Sequence, residues 1–274
     1  MRESEIIGGR VAVCVQDGVA EVRLDRPEKL NALDPAMFAA LIEAGERLIP
    51  RKDLRAVVLH GAGRGFCAGL DTQSFAAMAA GRGDGLLADL RRRTHGIANA
   101  PQRAVLVWRD LPVPVIAAVH GVAFGGGFQI ALGADLRYVA PDARLSILEI
   151  KWGLVPDMGG VALMRELARA DVVRELAFTG REFSGADAAD CGFATALHGD
   201  PLEASRATAR VIALKSPDAV RALKRLLNAS AHLDMAATLM AESTEQAALI
   251  GSPNQVEAVR SEMEKRQGRF SDPS

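Results

Sequence analysis

The stretch VHGVAFGGGFQIALGADL, residues 119–136, sets three consecutive glycines between an apolar run and a helix-like run. A backbone stripped of side chains at such a junction has two uses. It lets a ligand approach the main chain closely, or it merely permits a turn and tight packing. If a helix begins near residue 127, its free N–H groups and positive dipole end face whatever approaches. A second glycine-rich junction, HGAGRGFCAGLD at 60–71, follows the strand-like run RAVVLHG. That junction is no phosphate loop: it lacks a Gly-Lys-Ser/Thr ending, and Phe66 stands where a dinucleotide fingerprint needs its third glycine. Two loops donating N–H groups to one oxygen that gains negative charge would make an oxyanion hole.

Length and composition narrow the class. A chain of 274 residues suits one sizeable domain plus an appendage. With 49% hydrophobic and 24% charged residues, it has the balance of a soluble globular protein. A net charge of −1 argues against nucleic-acid binding through a broad basic surface. The longest apolar run, 113–134, contains Pro114, His120, Gln129 and several glycines, so no membrane span is expected. Cys14, Cys67 and Cys191 show no metal-like spacing, and the charged start MRESEIIGGR does not resemble a secretory signal. A reduced, cytoplasmic protein is the expectation.

Local signals outline an α/β chain. VAVCVQDGVAEVRL at 11–24 reads as a hairpin turning at Asp17-Gly18. Asp34-Pro35 opens a helix as N-cap and first residue. Strands are expected at 55–61, over VPVIAAVHG and in DLRYVA and ARLSIL, with helices near 127–133 and 159–169. A glycine-rich break at 81–85 precedes an expected long helical region, 86–109. From 201 the pattern is helical, in segments 201–214, 217–229, 233–250 and 253–267, two of them opened by Ser-Pro.

Four motifs then act together. RPEKLNAL at 26–33, GFCAGLD at 65–71, HGVAFGGGFQIALGADLRY at 120–138 and EIKWGLVPDMGG at 149–160 resemble the crotonase (enoyl-CoA hydratase/isomerase) superfamily. The resemblance implies a spiral of ββα repeats over residues 1–200, carrying an acyl-CoA site, and a helical oligomerisation region over 201–274. It implies that the amides of Leu70 and Gly126 hold the thioester oxygen. Lys29, Leu30 and Ala32 resemble the contact to the CoA adenine, and the Ala68 carbonyl resembles the partner of its amino group. Asp71, closing the same motif, joins this substrate-binding set. A homotrimer or dimer of trimers is implied, with no metal or redox cofactor, coenzyme A being part of the substrate.

The acid–base residues decide the reaction. Hydratases of the family use two glutamates; Glu149 matches one position, and Gln129 stands at the other. Glutamine cannot exchange a proton at neutral pH but can orient water. Burial among Ile147, Leu148, Ile150 and Trp152 would raise the Glu149 carboxyl into a range suited to proton transfer. Asp157 matches a catalytic aspartate of the family's dienoyl-CoA isomerases, which also carry an acid at the Gln129 position. Asp157 equally reads as the N-cap of the next helix. Cys67 reads as core filler and His120 as a structural hydrogen-bonder. No H-E-x-x-H or G-x-S-x-G occurs. Double-bond migration in an enoyl- or dienoyl-CoA is the leading expectation. Hydration of a 2-enoyl-CoA and a non-catalytic acyl-CoA-binding paralogue are the alternatives.

Overall fold

Asp17 and Gly18 both adopt left-handed backbone, φ 50° and 76°, as a two-residue turn matched to strand twist requires. They join β2 (Val11–Gln16) to β3 (Val19–Leu24), which pair antiparallel from Val11↔Leu24 to Gln16↔Val19. β1 (Glu5–Ile7) adds antiparallel to β2. The structure, a computed structural model, describes residues 4–74 and 89–273.

After β3 the chain turns to parallel pairing. Asp34 accepts the Met37 amide at 2.8 Å and starts α1 (Pro35–Leu48), whose apolar side is buried against the sheet. β4 (Ala56–Gly61) then pairs parallel with β3 and is buried along its whole length. α2 (Ala100–Asp110) leads to β5 (Val115–Val119), also fully buried and parallel to β4. Uninterrupted apolar strands of this kind belong to sheets covered on both faces. Of the helical region expected over 86–109, the described part is helix only from Ala100, in Ala100–Asp110: Asn99 caps it there in a reciprocal box with Gln102, and residues 90–98 form turns. The break at 81–85 lies outside the described residues.

β6 (Val122–Phe124) leaves this sheet and starts a second one, followed directly by α3 (Gly126–Leu132). β7 (Leu136–Val139) returns to the large sheet beside β5, and β8 (Arg144–Ser146) pairs parallel with β6. A 3-10 turn, Glu149–Trp152, precedes α4 (Gly160–Leu167) and α5 (Ala170–Thr179). β9 (Phe183–Ser184), α6 (Gly185–Cys191) and β10 (Ala196–Leu197) complete the two sheets, ordered β1-β2-β3-β4-β5-β7-β10 and β6-β8-β9. The strand–strand–helix alternation thus distributes its strands between a large sheet and a small one.

Of the C-terminal helices, α7 (Pro201–Ala213) packs on the outer face of the large sheet, Ala209 meeting Val58 and Ile116. The helical region at 201 therefore begins as part of the body. α8 (Pro217–Ser230) is pinned by a buried lysine: Lys224 Nζ reaches Asp135 at 2.7 Å and the carbonyls of Val113 and Trp108. α9 (Met235–Leu249) and α10 (Pro253–Met263) follow. Ser216 and Ser252 cap α8 and α10, as the Ser-Pro signals predict. No helix among the described residues is long and apolar enough to cross a membrane.

Candidate active site

The two glycine-rich junctions meet because residues 66–71, which turn at Gly69 (φ 85°), run between two neighbours. On one side the amide of Cys67 donates to Val122, and Phe124 donates to Cys67. On the other, Leu33 donates to the Gly69 carbonyl and Asp71 donates to the Leu33 carbonyl, a parallel bridge centred on Leu70. A parallel bridge uses the groups flanking its central residue, so the N–H of Leu70 itself points the other way. α3 begins against this segment. A Cβ on Gly127 would lie 2.3 Å from the Cys67 carbonyl oxygen, so only glycine lets the helix pass. Gly126 is the first helical residue, whose N–H has no partner within the helix. Among the described residues neither the Leu70 nor the Gly126 amide has an internal acceptor.

Leu70 and Gly126 both line one cavity of about 540 Å³. Lys29, Ala32, Ala68, Leu70, Asp71, Gly126, Gln129, Glu149 and Asp157 all line it. Leu30 does not: its backbone is left-handed (φ 49°), and its carbonyl takes the Ala68 amide at 2.9 Å. Its contribution is to hold the Ala68 segment in place. Asp71 borders the cavity, but its carboxylate is committed elsewhere, to Arg26 at 2.6 Å and the Gln73 amide at 2.8 Å. Burial pushes this carboxyl up, yet the Gln73 amide and Arg26 outweigh that and hold it below the ordinary range. Asp71 is therefore a framework anchor here, not a group free to meet substrate.

Glu149 opens the 3-10 turn after β8, and one of its oxygens accepts from Gln129 Nε2 at 2.7 Å. The other, Oε2, is buried and has no hydrogen-bond partner among the described residues. Of the four neighbours expected around it, Ile147 is buried and Leu148 half-buried, while Ile150 and Trp152 are 45% and 46% exposed. The carboxyl also packs against Gly125, where a Cβ would sit 3.3 Å from Oε1. Burial raises the Glu149 carboxyl, and the negative charge of Asp157 raises it further.

Gln129 is 2% exposed, and its carbonyl oxygen accepts both the Met158 and Gly160 amides at 2.9 Å. That oxygen satisfies the N-terminus of α4, whose N-cap residue is Gly159. Asp157 does not cap this helix. It faces the cavity instead, and burial raises its carboxyl as well. Gln129 thus holds Glu149 with its amide and the Asp157–Gly160 turn with its carbonyl, leaving no lone pair to orient water. None of these ties was visible in sequence, because each depends on partners brought together by the spiral.

The other reactive side chains stay structural. The Cys67 thiol donates to the Asn31 carbonyl at 3.1 Å, and burial pushes it up to about 12. His120 Nε2 lies 3.0 Å from the Gly63 carbonyl. Among the described residues no three His, Cys, Asp or Glu gather as a metal site.

An apolar cavity lined by two half-buried carboxyls, and by two residues whose main-chain amides have no internal acceptor among the described residues, is equipped to move protons next to a carbonyl. The sequence model of the Enoyl-CoA hydratase/isomerase family matches residues 15–273. The chain is 32% identical over 254 residues to the peroxisomal Delta(3,5)-Delta(2,4)-dienoyl-CoA isomerase of Arabidopsis thaliana, covering 90% of each. It is 32% identical over 257 residues to the human mitochondrial Delta(3,5)-Delta(2,4)-dienoyl-CoA isomerase, covering 92% of this chain and 78% of that one. An enoyl-CoA hydratase from Polaromonas sp. JS666 superposes with a TM-score of 0.86 at 26% identity, over 96% of this chain and 100% of that chain. The chain belongs to the enoyl-CoA hydratase/isomerase family and is an enzyme of acyl-CoA metabolism with the crotonase fold. The expected cytoplasmic location is corrected by the same relatives, which are named peroxisomal and mitochondrial. Unpaired cysteines argue against an oxidising compartment but do not separate cytosol from an organelle matrix.

Proposed function

We propose that the protein converts a 3,5-dienoyl-CoA into its conjugated 2,4-dienoyl isomer, the reaction named for its isomerase relatives. The observation that carries this reading is the pair of half-buried carboxyls, Glu149 and Asp157, both raised by desolvation, on one cavity with Leu70 and Gly126. The amides donate to the thioester oxygen, and ionised Glu149 removes a proton from C2. The C–H electron pair enters a dienolate whose negative charge rests on that oxygen. Protonated Asp157 delivers its proton to C6 as the double bonds relocate. Glu149 ends protonated and Asp157 ionised, and a proton passes back before the next turnover. The chemistry needs no metal or redox group. Lys29, Ala32 and Ala68 receive the nucleotide end of coenzyme A.

Hydration, the activity named for the Polaromonas structure, is the competing reading. Gln129 weighs against it, since both acceptor sites of its carbonyl are engaged by main-chain amides. A panel of 2-enoyl-, 3-enoyl- and 3,5-dienoyl-CoA separates the two, because migration creates a conjugated near-ultraviolet chromophore and hydration adds the mass of one water. Binding without turnover of any of them would establish the non-catalytic reading.

Asp157→Asn sharpens the test. Isomerisation should fall by about 10²–10³-fold, the usual scale for losing a general acid. Glu149 would still exchange the C2 proton, so deuterium from heavy water should enter C2 without bond migration. Equal loss of exchange and migration would remove Asp157 from the role given to it.

We also propose assembly into trimers or dimers of trimers. Leu223, Leu227, Met235, Leu239, Met240 and Ile250 on and beside α8 and α9 are each at least 53% exposed. Apolar surface on that scale usually marks an interaction face. Light scattering should report three or six chains per particle, and a monomer at micromolar concentration would refute it.

A further inference from the structure

Two charged residues of the sequence motifs have no task in the reaction above. Arg26 opens RPEKLNAL and Asp71 closes GFCAGLD, and both are buried, 9% and 3% exposed. Arg26 Nη1 binds Asp71 Oδ2 at 2.6 Å and the Ala32 carbonyl at 3.2 Å, and lies 3.5 Å from Asp34. Asp34 is itself held by Arg10 at 2.8 Å and caps α1. The exposed carboxylate of Glu28 is more distant, 3.9 Å from Arg26 Nε. Asp71 is the residue after Leu70, and its own N–H closes the bridge that turns the Leu70 amide outward. The Leu70 peptide is therefore fixed on one side by Leu33 and at its C-terminal end by the buried ion pair.

We propose that Arg26 and Asp71 are positioning residues for the oxyanion amide of Leu70, tying the loop that carries Lys29 and Ala32 to the loop that carries the N–H. This rests on the role given to Leu70 and Gly126 above. A buried pair of this kind is seldom a net source of stability, because desolvating both charges offsets their attraction. Its directional geometry matters more here: a donor misplaced by about 1 Å is enough to cost a large part of its effect on a developing oxyanion. Without the Asp71 charge, Arg26 is free to turn to Asp34, and residue 70 loses its tether.

Acetoacetyl-CoA reads the oxyanion site directly, since its enolate absorbs in the near ultraviolet when bound. Asp71→Asn and Arg26→Lys should each lower the bound enolate-to-keto ratio by about 10- to 100-fold, while affinity for hexanoyl-CoA changes less than about threefold. Arg26→Met combined with Asp71→Leu should recover the thermal midpoint, as apolar replacements of buried pairs often do, without recovering the enolate. Single variants that keep the wild-type ratio, or a double variant that regains both stability and enolate, would overturn the proposal. A wild-type protein that binds acetoacetyl-CoA without enolising it would instead bring down the oxyanion reading of Leu70 and Gly126.

Discussion

Glu149→Gln is expected to lower kcat for 3,5-dienoyl-CoA by roughly 10³-fold with little change in KM. The substitution keeps shape and leaves an oxygen to accept from Gln129 at the present 2.7 Å contact. It removes only the basicity of a group whose second oxygen is buried and unpaired. Retention of more than a tenth of wild-type turnover would show that another base removes the proton. The pH profile carries the same argument. In the proposed reaction Glu149 acts ionised, and burial raises its carboxyl, so the rate should fall as pH drops through that raised value. Asp157 must be protonated, so the rate should also fall as pH climbs through its raised value. The two limbs belong to the pair and make a bell. Stability runs in a fixed direction. A carboxyl raised in the folded state favours folding below its unfolded value, and that contribution is lost as pH rises through the folded value. At neutral pH the ionised Glu149 is therefore a cost, and Glu149→Gln should melt no lower than wild type. Its lost turnover would then be chemical, not a consequence of unfolding.

Gly69→Ala should be the most damaging small change in the site. Gly69 has φ +85°, a left-handed conformation that a Cβ strains, and that Cβ would lie 2.6 Å from the Phe124 carbonyl oxygen. The same methyl would sit 3.6 Å from the Gly126 nitrogen. Relief must come from separating the Leu70 segment from β6 and the start of α3. We expect kcat to fall by about 10²–10³-fold, the scale of losing one oxyanion donor. Stability should fall by about 1–3 kcal/mol from backbone strain. Dienoyl-CoA turnover and a denaturant melt measure both. Near-normal kcat in a destabilised protein would detach the two amides from catalysis.

Much of the fold was legible in the sequence because its signals are local. Asp17-Gly18, Asp34-Pro35 and the Ser-Pro pairs each bias the few residues around them, and each forms the turn or cap expected. The buried strands β4 and β5 were readable from unbroken apolar runs. The start of α2 was missed because residues 90–98, though compatible with helix, are drawn into turns that bond back to their own carbonyls, as Arg93 does to Leu90 and Arg91. Of the site, the named positions come from motifs and resemblance: all but Leu30 line the cavity, and Glu149 and Asp157, the pair proposed to carry protons, are among them.

The sequence by itself determined which backbone stretches are bare, which helix starts carry a capping signal, and which carboxyls are available. Only the tertiary structure decided what those groups do. Gln129 and Glu149 are 20 residues apart and Arg26 and Asp71 are 45 apart, so no short-range pattern reports their contacts. Whether a polar side chain is free for substrate or consumed by the fold depends on the partner that burial forces upon it. That partner is set by how the spiral closes: it ties Asp71 to Arg26, turns Gln129 inward, and leaves Asp157 facing the cavity.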